Sequence, residues 1–363
     1  MSGALESALE CFAGRSTAQG DPLRHRFAIL PSRQEPRYLV PLGDSRTTLK
    51  GFQFHTPYAL GARLRKTLLA QVVRTGWSGW ALHSLDVGEP LGLKALVTNL
   101  TGERNPAFAM SLGTTGKYRK LTIQAMRAGG EILGYIKLGM TKPAVDRVRR
   151  EAAVLECLGA LQPWVPRVLY AGEWQNSYLL FQSPLEGRPG RADLSSLHID
   201  FLEKLAALRR IDKSGPCLVE EIGARWKSAI WRCDWRWQEL GRNTLSTASR
   251  ELQKLTIPCA TWHGDFAPWN TRVRDGQLSV FDWESCEDGM PLGWDTFHFS
   301  VQVATLLKKS WRNRFDLAAA PGARGLFLLY LLATLGRSLD DRAENNPDLE
   351  YRKQALITEL SLR

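Results

Sequence analysis

One short segment of the sequence combines the side chains that phosphoryl transfer requires. It reads Trp262-His-Gly-Asp-Phe-Ala-Pro-Trp-Asn270, so that the carboxylate of Asp265 precedes the amide of Asn270 by five positions. A second carboxylate, Asp282, follows Asn270 by twelve positions, after the apolar run Leu278-Ser-Val-Phe. Phosphoryl transfer needs a carboxylate that orients and deprotonates the acceptor hydroxyl, and oxygen ligands that hold Mg²⁺ on the triphosphate. We therefore expect Asp265 to face the acceptor, and Asn270 and Asp282 to bind Mg²⁺.

Each of these residues also has an ordinary structural explanation when it is taken alone. Asp and Asn are common in turns, where their side chains bond to the nearby backbone. The joint spacing and order favour the chemical interpretation. His263 is interpreted differently: we expect it to brace the loop through backbone hydrogen bonds rather than to transfer protons.

A triphosphate also needs a cation beside its α- and β-phosphates, and an acidic residue that positions this cation. Lys137 lies in the apolar sequence Gly134-Tyr-Ile-Lys-Leu138, a predicted strand in which an unpaired Lys would be costly. Glu151 follows on an amphipathic helical pattern and could pair with Lys137. The alternative is an edge-strand Lys and a solvated helix Glu. Other basic residues near Glu151 could compete for it, namely Lys142, Arg147, Arg149 and Arg150.

The pattern His263-Gly-Asp265-x-x-x-x-Asn270, followed by Phe281-Asp282-Trp-Glu, resembles the catalytic and metal-binding loops of the aminoglycoside phosphotransferase/choline kinase family. These enzymes are relatives of the protein kinases. The resemblance covers roughly residues 107–310 and includes Leu292-Gly-Trp-Asp295, where the family has a carboxylate that helps to order the catalytic region. It implies ATP or GTP as the phosphoryl donor, Mg²⁺ as the metal and a hydroxylated small molecule as the acceptor.

The same resemblance predicts further contacts with the nucleotide. The turn Ser111-Leu-Gly-Thr-Thr-Gly116 lies where the family has its phosphate-covering loop, so Ser111, Gly113 and Gly116 are predicted to contact phosphates, although the turn is not a G-x-G-x-x-G sequence. Gln182 opens the turn-rich stretch 182–190, a predicted hinge between two lobes. Backbone groups there would meet the base, and the side chains do not distinguish ATP from GTP.

The periodicities predict an α+β chain with two lobes, and the resemblance implies that the fold is protein-kinase-like. Strand patterns at 107–116, 118–126 and 131–138 precede a helix over 145–158 and strands at 168–171 and 177–181. A lobe with an antiparallel sheet and one main helix is therefore followed by a mainly helical lobe. The predicted helices of the second lobe lie near 196–212, 219–241, 246–255, 294–309, 323–337 and 349–361, around a β-rich stretch at 260–284.

These patterns divide the chain into three predicted parts. Residues 107–182 would form the nucleotide-binding N-lobe and residues 183–363 the helical C-lobe with the catalytic and metal loops. Residues 1–106 are an N-terminal extension of unclear role. They contain two short strand patterns between 26 and 42 and a helical pattern at 56–74, which could pack on the N-lobe.

Composition excludes several classes of protein. With 44% hydrophobic and 23% charged residues, the chain is typical of globular proteins, and its longest apolar run, at 325–335, is too short to span a bilayer. We predict a cytoplasmic protein, since no signal peptide is evident. The net charge of +11 favours anionic partners, and it allows contact with a membrane surface. No motif predicts specific nucleic-acid binding.

The acceptor is predicted from charge and from the stretch 225–237, in which four Trp residues alternate with Arg and Lys. Either these Trp residues pack a helix against the lobe, or they form a substrate wall of aromatic faces and cations. A cationic acceptor would need an acidic pocket, but the net charge of +11 favours a neutral or acidic sugar or glycoconjugate. The residues that could form an acidic pocket are Glu220, Glu221, Glu284, Glu287 and Asp288.

Three other functions are weighed against a small-molecule kinase. An atypical protein kinase should have a long segment after Asp282, but Trp294 follows only twelve positions later. A catalytically silent, kinase-like nucleotide-binding module should lack one of the functional residues Lys137, Asp265, Asn270 or Asp282, and all four are present. A basic adaptor for nucleic acid or membranes is supported by charge alone.

Overall fold

The computed structural model describes residues 3–13, 24–54, 60–75, 83–114, 116–307, 310–312, 314–318, 320–340 and 347–362. The chain separates into two compact units, Met1–Glu186 and Gly187–Arg363. Among the described residues, no helix is both long enough and apolar enough to cross a membrane. The described residues form the predicted α+β fold, with an antiparallel sheet in the first unit and a mainly helical second unit.

Helices and strands are interspersed along the described residues of the first unit. The helices are α1 (Gly3–Ala13), α2 (Ser45–Gly51), α3 (Leu60–Arg74), α4 (Leu91–Thr101) and α5 (Lys142–Cys157). The strands are β1 (Arg24–Pro31), β2 (Pro36–Pro41), β3 (Ser84–Gly88), β4 (Ala107–Ser111), β5 (Lys120–Met126), β6 (Ile132–Gly139), β7 (Val168–Trp174) and β8 (Ser177–Gln182). The helix predicted from residue 56 corresponds to α3, and residues 56–59 lie outside the described residues.

In the described part of this unit, eight strands form one sheet in the order β3-β1-β2-β4-β5-β6-β8-β7. The pairs are antiparallel, and β2 joins β4 through Tyr38↔Ser111 and Leu39↔Met110. The first three strands of the chain therefore extend the sheet built by residues 107–182. A core cluster includes Phe12 of α1, Phe27 of β1 and Phe108 of β4.

The junction between β6 and α5 places two predicted site residues. Thr141 caps α5, because its hydroxyl oxygen accepts a hydrogen bond from Ala144 N at 3.2 Å. At Gly139 a Cβ would lie only 2.4 Å from Val145 N, so the strand end and the helix start can approach this closely only because residue 139 is glycine. This close junction sets the position of α5 against the sheet.

In its described residues, the second unit is mainly helical and carries two small sheets. Its helices are α6 (Ser196–Leu208), α7 (Gly215–Ala229), α8 (Trp235–Leu252), α9 (Trp294–Leu307), α10 (Ala323–Asp340) and α11 (Pro347–Ser361). Its strands are β9 (Arg188–Pro189), β10 (Ile211–Ser214), β11 (Thr256–Trp262), β12 (Thr271–Arg274), β13 (Gln277–Val280) and β14 (Glu287–Pro291). The sheets have the strand orders β10-β11-β14 and β13-β12-β9.

Two details of the second unit differ from the sequence prediction. The helix predicted to 212 ends at Leu208, because Arg209 is extended and Ile211–Ser214 pairs with β11. The single helix predicted over 219–241 is two helices, and the second of them absorbs the helix predicted at 246–255. The break occurs where Asp234 caps α8 by accepting a hydrogen bond from Arg236 N at 2.9 Å.

The break also divides the four Trp residues of the stretch 225–237. Trp226 is 3% exposed, and its ring centroid lies 6.1 Å from that of the half-buried Trp237. Trp231 and Trp235, which flank the break, are 70% and 64% exposed. Two indoles therefore pack the core, as the first interpretation predicted, and two face solvent. The core itself surrounds α10, whose apolar run 325–335 is buried as predicted.

Candidate functional site

In the first unit, Lys137 and Glu151 form a buried ion pair. Lys137 lies on β6 between Thr122 of β5 and Leu180 of β8, so it is on an interior strand rather than on an edge. Its Nζ lies 2.5 Å from Oε1 of Glu151, and the two side chains are 5% and 0% exposed. The predicted pairing is therefore present in the structure. A buried charge pair that is costly to desolvate is common at functional sites.

The turn between β4 and β5 occupies the predicted position of a phosphate-covering loop. Ser111 ends β4, and Gly113 and Gly116 have φ values of 66° and 153°. At Gly113 a Cβ would lie 2.4 Å from Lys120 O, so this turn requires glycine. Residue 115 lies outside the described residues. The contacts of these three residues with phosphates stay a prediction.

Gln182 ends β8 at the predicted hinge, four residues before the boundary between the two units. Gln182 is 3% exposed, and its Oε1 has no hydrogen-bond partner among the described residues. A buried, unsatisfied amide oxygen is unusual. The contact between this segment and a nucleotide base stays a prediction.

In the second unit, His263 braces the loop that carries Asp265. Its Nδ1 accepts a hydrogen bond from Asp265 N at 3.1 Å, and its Nε2 lies 3.2 Å from Phe281 O. The neutral tautomer with the proton on Nε2 satisfies both contacts. Burial lowers the pKa of His263 to about 4, so the ring is neutral near pH 7. These contacts agree with the bracing role expected for this residue.

Asp295 holds the same loop from the start of α9. Its two carboxylate oxygens accept hydrogen bonds from His263 N at 3.0 Å and from Gly264 N at 3.3 Å. Burial raises the pKa of Asp295 to about 7, although both N–H donors act in the opposite direction. Gly264 has a φ of 80°, and a Cβ there would lie 2.2 Å from Ser285 O. The loop can therefore make this turn only with glycine.

The carboxylate of Asp265 receives one side-chain hydrogen bond on each oxygen. Nδ2 of Asn270 donates to Oδ2 at 2.8 Å and also to the backbone oxygen of Asp265 at 2.9 Å. Nε2 of His298 lies 3.2 Å from Oδ1. The Asp265 side chain remains 34% exposed, whereas that of His298 is 5% exposed. Asp265 is thus held from behind and open on one side, the arrangement that a base acting on a bound hydroxyl requires.

The residues predicted to bind Mg²⁺ have suitable donor atoms. Because the Asn270 amide nitrogen makes the two bonds to Asp265, its oxygen is the atom left to act as a metal ligand. Asp282 has a left-handed backbone conformation, with φ at 72°, at the end of β13. One carboxylate oxygen of Asp282 lies within 4.8 Å of one from Glu284. Amide and carboxylate oxygens are the ligands that Mg²⁺ prefers, so this donor set fits the metal.

The sequence did not predict the residues that contact Asp265 from the helices. His298 lies on α9, with its Nδ1 3.3 Å from the hydroxyl of Tyr330 on α10 and its Nε2 3.3 Å from the side-chain amide of Gln302. His298 follows Asp295 by three positions, so both occur on adjacent turns of one face of α9. A polar residue on that face of an otherwise apolar helix was the available signal.

Most of the acidic residues that could form a cationic-substrate pocket are neutralised by neighbouring basic residues. Glu221 lies 2.6 Å from Lys213, and Glu287 lies 2.6 Å from both Arg225 and Arg337. Asp288 lies 2.8 Å from Arg209. These ion pairs cancel much of the negative charge that a polycationic acceptor would need.

Comparisons with known proteins agree with this description. Residues 137–293 match the family model described as the phosphotransferase enzyme family. No curated protein matches the chain by sequence. Among solved structures, a thermostable mutant of aminoglycoside phosphotransferase APH(4)-Ia, in ternary complex with ADP and hygromycin B, is similar with a TM-score of 0.52 and 15% identity, over 74% of this chain and 98% of that chain.

Two further structures of the same enzyme are similar to this chain. A thermostable mutant in ternary complex with AMP-PNP and hygromycin B has a TM-score of 0.53 and 15% identity, over 74% of this chain and 97% of that chain. The structure of APH(4)-Ia has a TM-score of 0.51 and 13% identity, over 75% of this chain and 98% of that chain. At such identities the likeness establishes the fold alone. The fold is the protein-kinase-like one that was predicted. The match over residues 137–293 is to the family that the motifs predicted.

Proposed function

We propose that the chain is a Mg²⁺-dependent O-phosphotransferase that moves the γ-phosphoryl group of ATP or GTP to a hydroxyl of a small molecule. The observation that carries this proposal is the geometry around Asp265, whose carboxylate is held on both oxygens and remains open on one side. The family match over residues 137–293 supports the reaction type. The buried pair of Lys137 and Glu151 supports a triphosphate as the donor.

The residues of this chain divide the work of the reaction. Asp265 accepts a hydrogen bond from the acceptor hydroxyl and takes its proton late, as the oxygen attacks the γ-phosphorus, while the bond from that phosphorus to the β,γ-bridging oxygen breaks and the nucleoside diphosphate leaves. Asn270 and Asp282 would hold Mg²⁺, which when bound would neutralise charge on the phosphates. Lys137, positioned by Glu151, stabilises the α- and β-phosphates. The β4–β5 turn with Ser111, Gly113 and Gly116 covers the phosphates, and the segment at Gln182 meets the base.

We further propose that the acceptor is neutral or acidic, in the class of sugars and glycoconjugates. Structurally similar APH(4)-Ia binds hygromycin B, an aminoglycoside. A polycationic acceptor of this kind requires exposed carboxylates, whereas Glu221, Glu287 and Asp288 are engaged with Lys and Arg side chains. The net charge of +11 also favours a neutral or acidic acceptor.

The test is the release of ADP and GDP with Mg²⁺ across a panel of hydroxylated acceptors: aminoglycosides, choline, hexoses and acidic or lipid-linked saccharides. We expect acceptor-stimulated release from the wild-type protein and a decrease of at least ~100-fold in Asp265→Asn, the usual scale for losing a general base. Asp282→Ala should abolish metal-dependent turnover. Asp275→Asn, the same type of change on the exposed β12–β13 turn, is the matched control and should retain wild-type rates.

Two results would contradict the proposed reaction, and a third would contradict the proposed acceptor class. Turnover by Asp265→Asn at the wild-type rate would remove Asp265 from the mechanism. Binding of Mg-nucleotide without release for any acceptor would instead favour a silent, kinase-like binding module. Stimulation by aminoglycosides alone would leave the reaction type intact and contradict the proposed acceptor class.

A further inference from the structure

The contacts of His298 connect Asp265 to the helices of the second unit. His298 is 4% exposed and lies on α9, and its ring nitrogens face two different elements. Nε2 lies 3.2 Å from Oδ1 of Asp265, and Nδ1 lies 3.3 Å from the hydroxyl of Tyr330 on α10. A hydroxyl can donate to Nδ1 while Nε2–H donates to the carboxylate, so the contacts favour one tautomer.

Gln302, one turn further along α9, joins His298 to α11. When its amide is oriented to satisfy all three neighbours, its nitrogen donates to Asp348 at 3.1 Å. Its oxygen then accepts from Arg352 at 2.9 Å and from Nε2 of His298 at 3.3 Å. Arg352 is 5% exposed. The imidazole thus contacts Tyr330 of α10 and Gln302 of α9, and α11 reaches it through Gln302. Its Nε2–H is shared between Asp265 and Gln302.

We propose that His298 is a positioning residue for phosphoryl transfer, whose neutral Nε2–H fixes the carboxylate of Asp265 in the plane that the acceptor hydroxyl requires. The inference rests on the proposed function. Asn270 holds one oxygen of Asp265 and His298 holds the other, so neither torsion of the side chain is free. Misplacing a reacting group by about 1 Å can cost about 100-fold in rate, so a second hydrogen bond of this kind has a measurable effect.

A neutral donor suits this task better than a cation. An imidazolium beside Asp265 would form an ion pair and make the carboxylate a weaker base. Burial lowers the pKa of His298, although Asp265 acts in the opposite direction, so the ring can hold the carboxylate without adding charge. Positioning and basicity are therefore compatible in this arrangement.

The kinetic test compares three variants at about pH 7.5. His298→Ala removes the donor and should lower kcat by about 10- to 100-fold with the KM for the nucleotide unchanged. His298→Gln, whose amide nitrogen can replace Nε2, should recover most of that loss. His198→Gln is the matched control, because His198 is also buried in this unit, at 2% exposure, and its Nδ1 bonds to Ser195 rather than to Asp265. It should keep the wild-type kcat. A His298→Ala rate within about twofold of wild type, or an equal loss in the control, would overturn the proposal.

A second measurement does not depend on activity, so it separates failure of this inference from failure of the proposed function. In protein labelled with ¹⁵N at its six histidines, one ring, identified by its loss in His298→Gln, should be the neutral Nε2–H tautomer at pH 7. Its Nε2 resonance should shift in Asp265→Ala and its Nδ1 resonance in Tyr330→Phe. A protonated ring, the opposite tautomer, or an Nε2 resonance that does not shift in Asp265→Ala would overturn the inference. This holds whether or not the protein shows turnover.

Discussion

The two units place their charged groups in different ways. In the first unit, Lys137 stands on an interior strand and Glu151 on a helix fixed by the Gly139 junction, and a single 2.5 Å contact joins them. In the second unit, Asp265 stands on a loop that needs His263, Asp295, Asn270 and His298 to hold it.

The difference follows from the backbone beneath each residue. A strand and a helix already fix the direction of their side chains before those side chains pair. A loop has no repeating pattern of backbone hydrogen bonds, so its backbone N–H groups must be satisfied by side chains. We therefore expect substitutions in the first region to have nearly all-or-none effects on stability and turnover. Substitutions in the second region should have graded effects.

The largest effect on stability is expected when the buried pair is broken. Glu151→Ala removes the carboxylate beside Lys137 and should lower the free energy of unfolding by about 3–5 kcal/mol, because an ammonium is left buried without this counter-charge. The double variant Lys137→Met/Glu151→Leu should recover much of the stability but no turnover. Denaturant unfolding measures the first effect and nucleotide release the second. A single variant as stable as wild type would contradict the all-or-none expectation.

The two close glycine contacts provide an intermediate test. Gly139→Ala and Gly264→Ala each introduce a Cβ within 2.4 Å or less of a backbone atom. Each change should cost about 1–3 kcal/mol of unfolding free energy, and Gly264→Ala adds strain at positive φ. Gly139→Ala should mainly raise the KM for the nucleotide, since it displaces α5, and Gly264→Ala should mainly lower kcat. The opposite division between KM and kcat would show that the two regions are not separable in this way.

An effect of pH on stability is also expected, because the second unit buries neutral histidines. Burial lowers the pKa of His198 to about 4 from an ordinary value of 6.5. The unfolded chain then binds a proton that the folded chain does not, so this contribution to stability is complete above about pH 6.5 and is lost as the pH falls toward 4.

His198→Gln removes that dependence. Its destabilisation relative to wild type should therefore be smaller at pH 5 than at pH 7, by roughly 2 kcal/mol. Denaturant unfolding at the two pH values checks this expectation. If the difference in unfolding free energy between His198→Gln and wild type does not change with pH, His198 keeps an ordinary pKa in the folded protein.

The secondary-structure elements with a strong local pattern could be predicted from the sequence. Alternating residues predicted β4, β5 and β6, and the spacing of Val148, Ala152 and Leu155 predicted α5. The pairing of Lys137 with Glu151 followed from chain order and from the cost of a lone buried cation. The roles of Asp265, Asn270 and Asp282 stay predictions, although their donor atoms are arranged as those roles require.

Other features depended on contacts between distant parts of the chain. Tyr330 lies 32 positions from His298, and no local pattern shows which helix face turns toward Asp265. The strand Ile211–Ser214 forms because β11 is available to pair with it, not because its own sequence is strongly β-forming. The break at 230–234 depended on a single cap, Asp234, inside a stretch that otherwise reads as continuous helix.

The sheet of the first unit has a consequence for folding kinetics. Its strands form two blocks, β3-β1-β2 and β4-β5-β6-β8-β7, which are joined in the described residues by the pairs Tyr38↔Ser111 and Leu39↔Met110. Most neighbours within the second block are close in sequence, but this seam joins residues about 70 positions apart, and such long-range contacts form slowly. We expect the seam to close after the hairpins of each block have formed, so that weakening it accelerates unfolding more than it slows refolding.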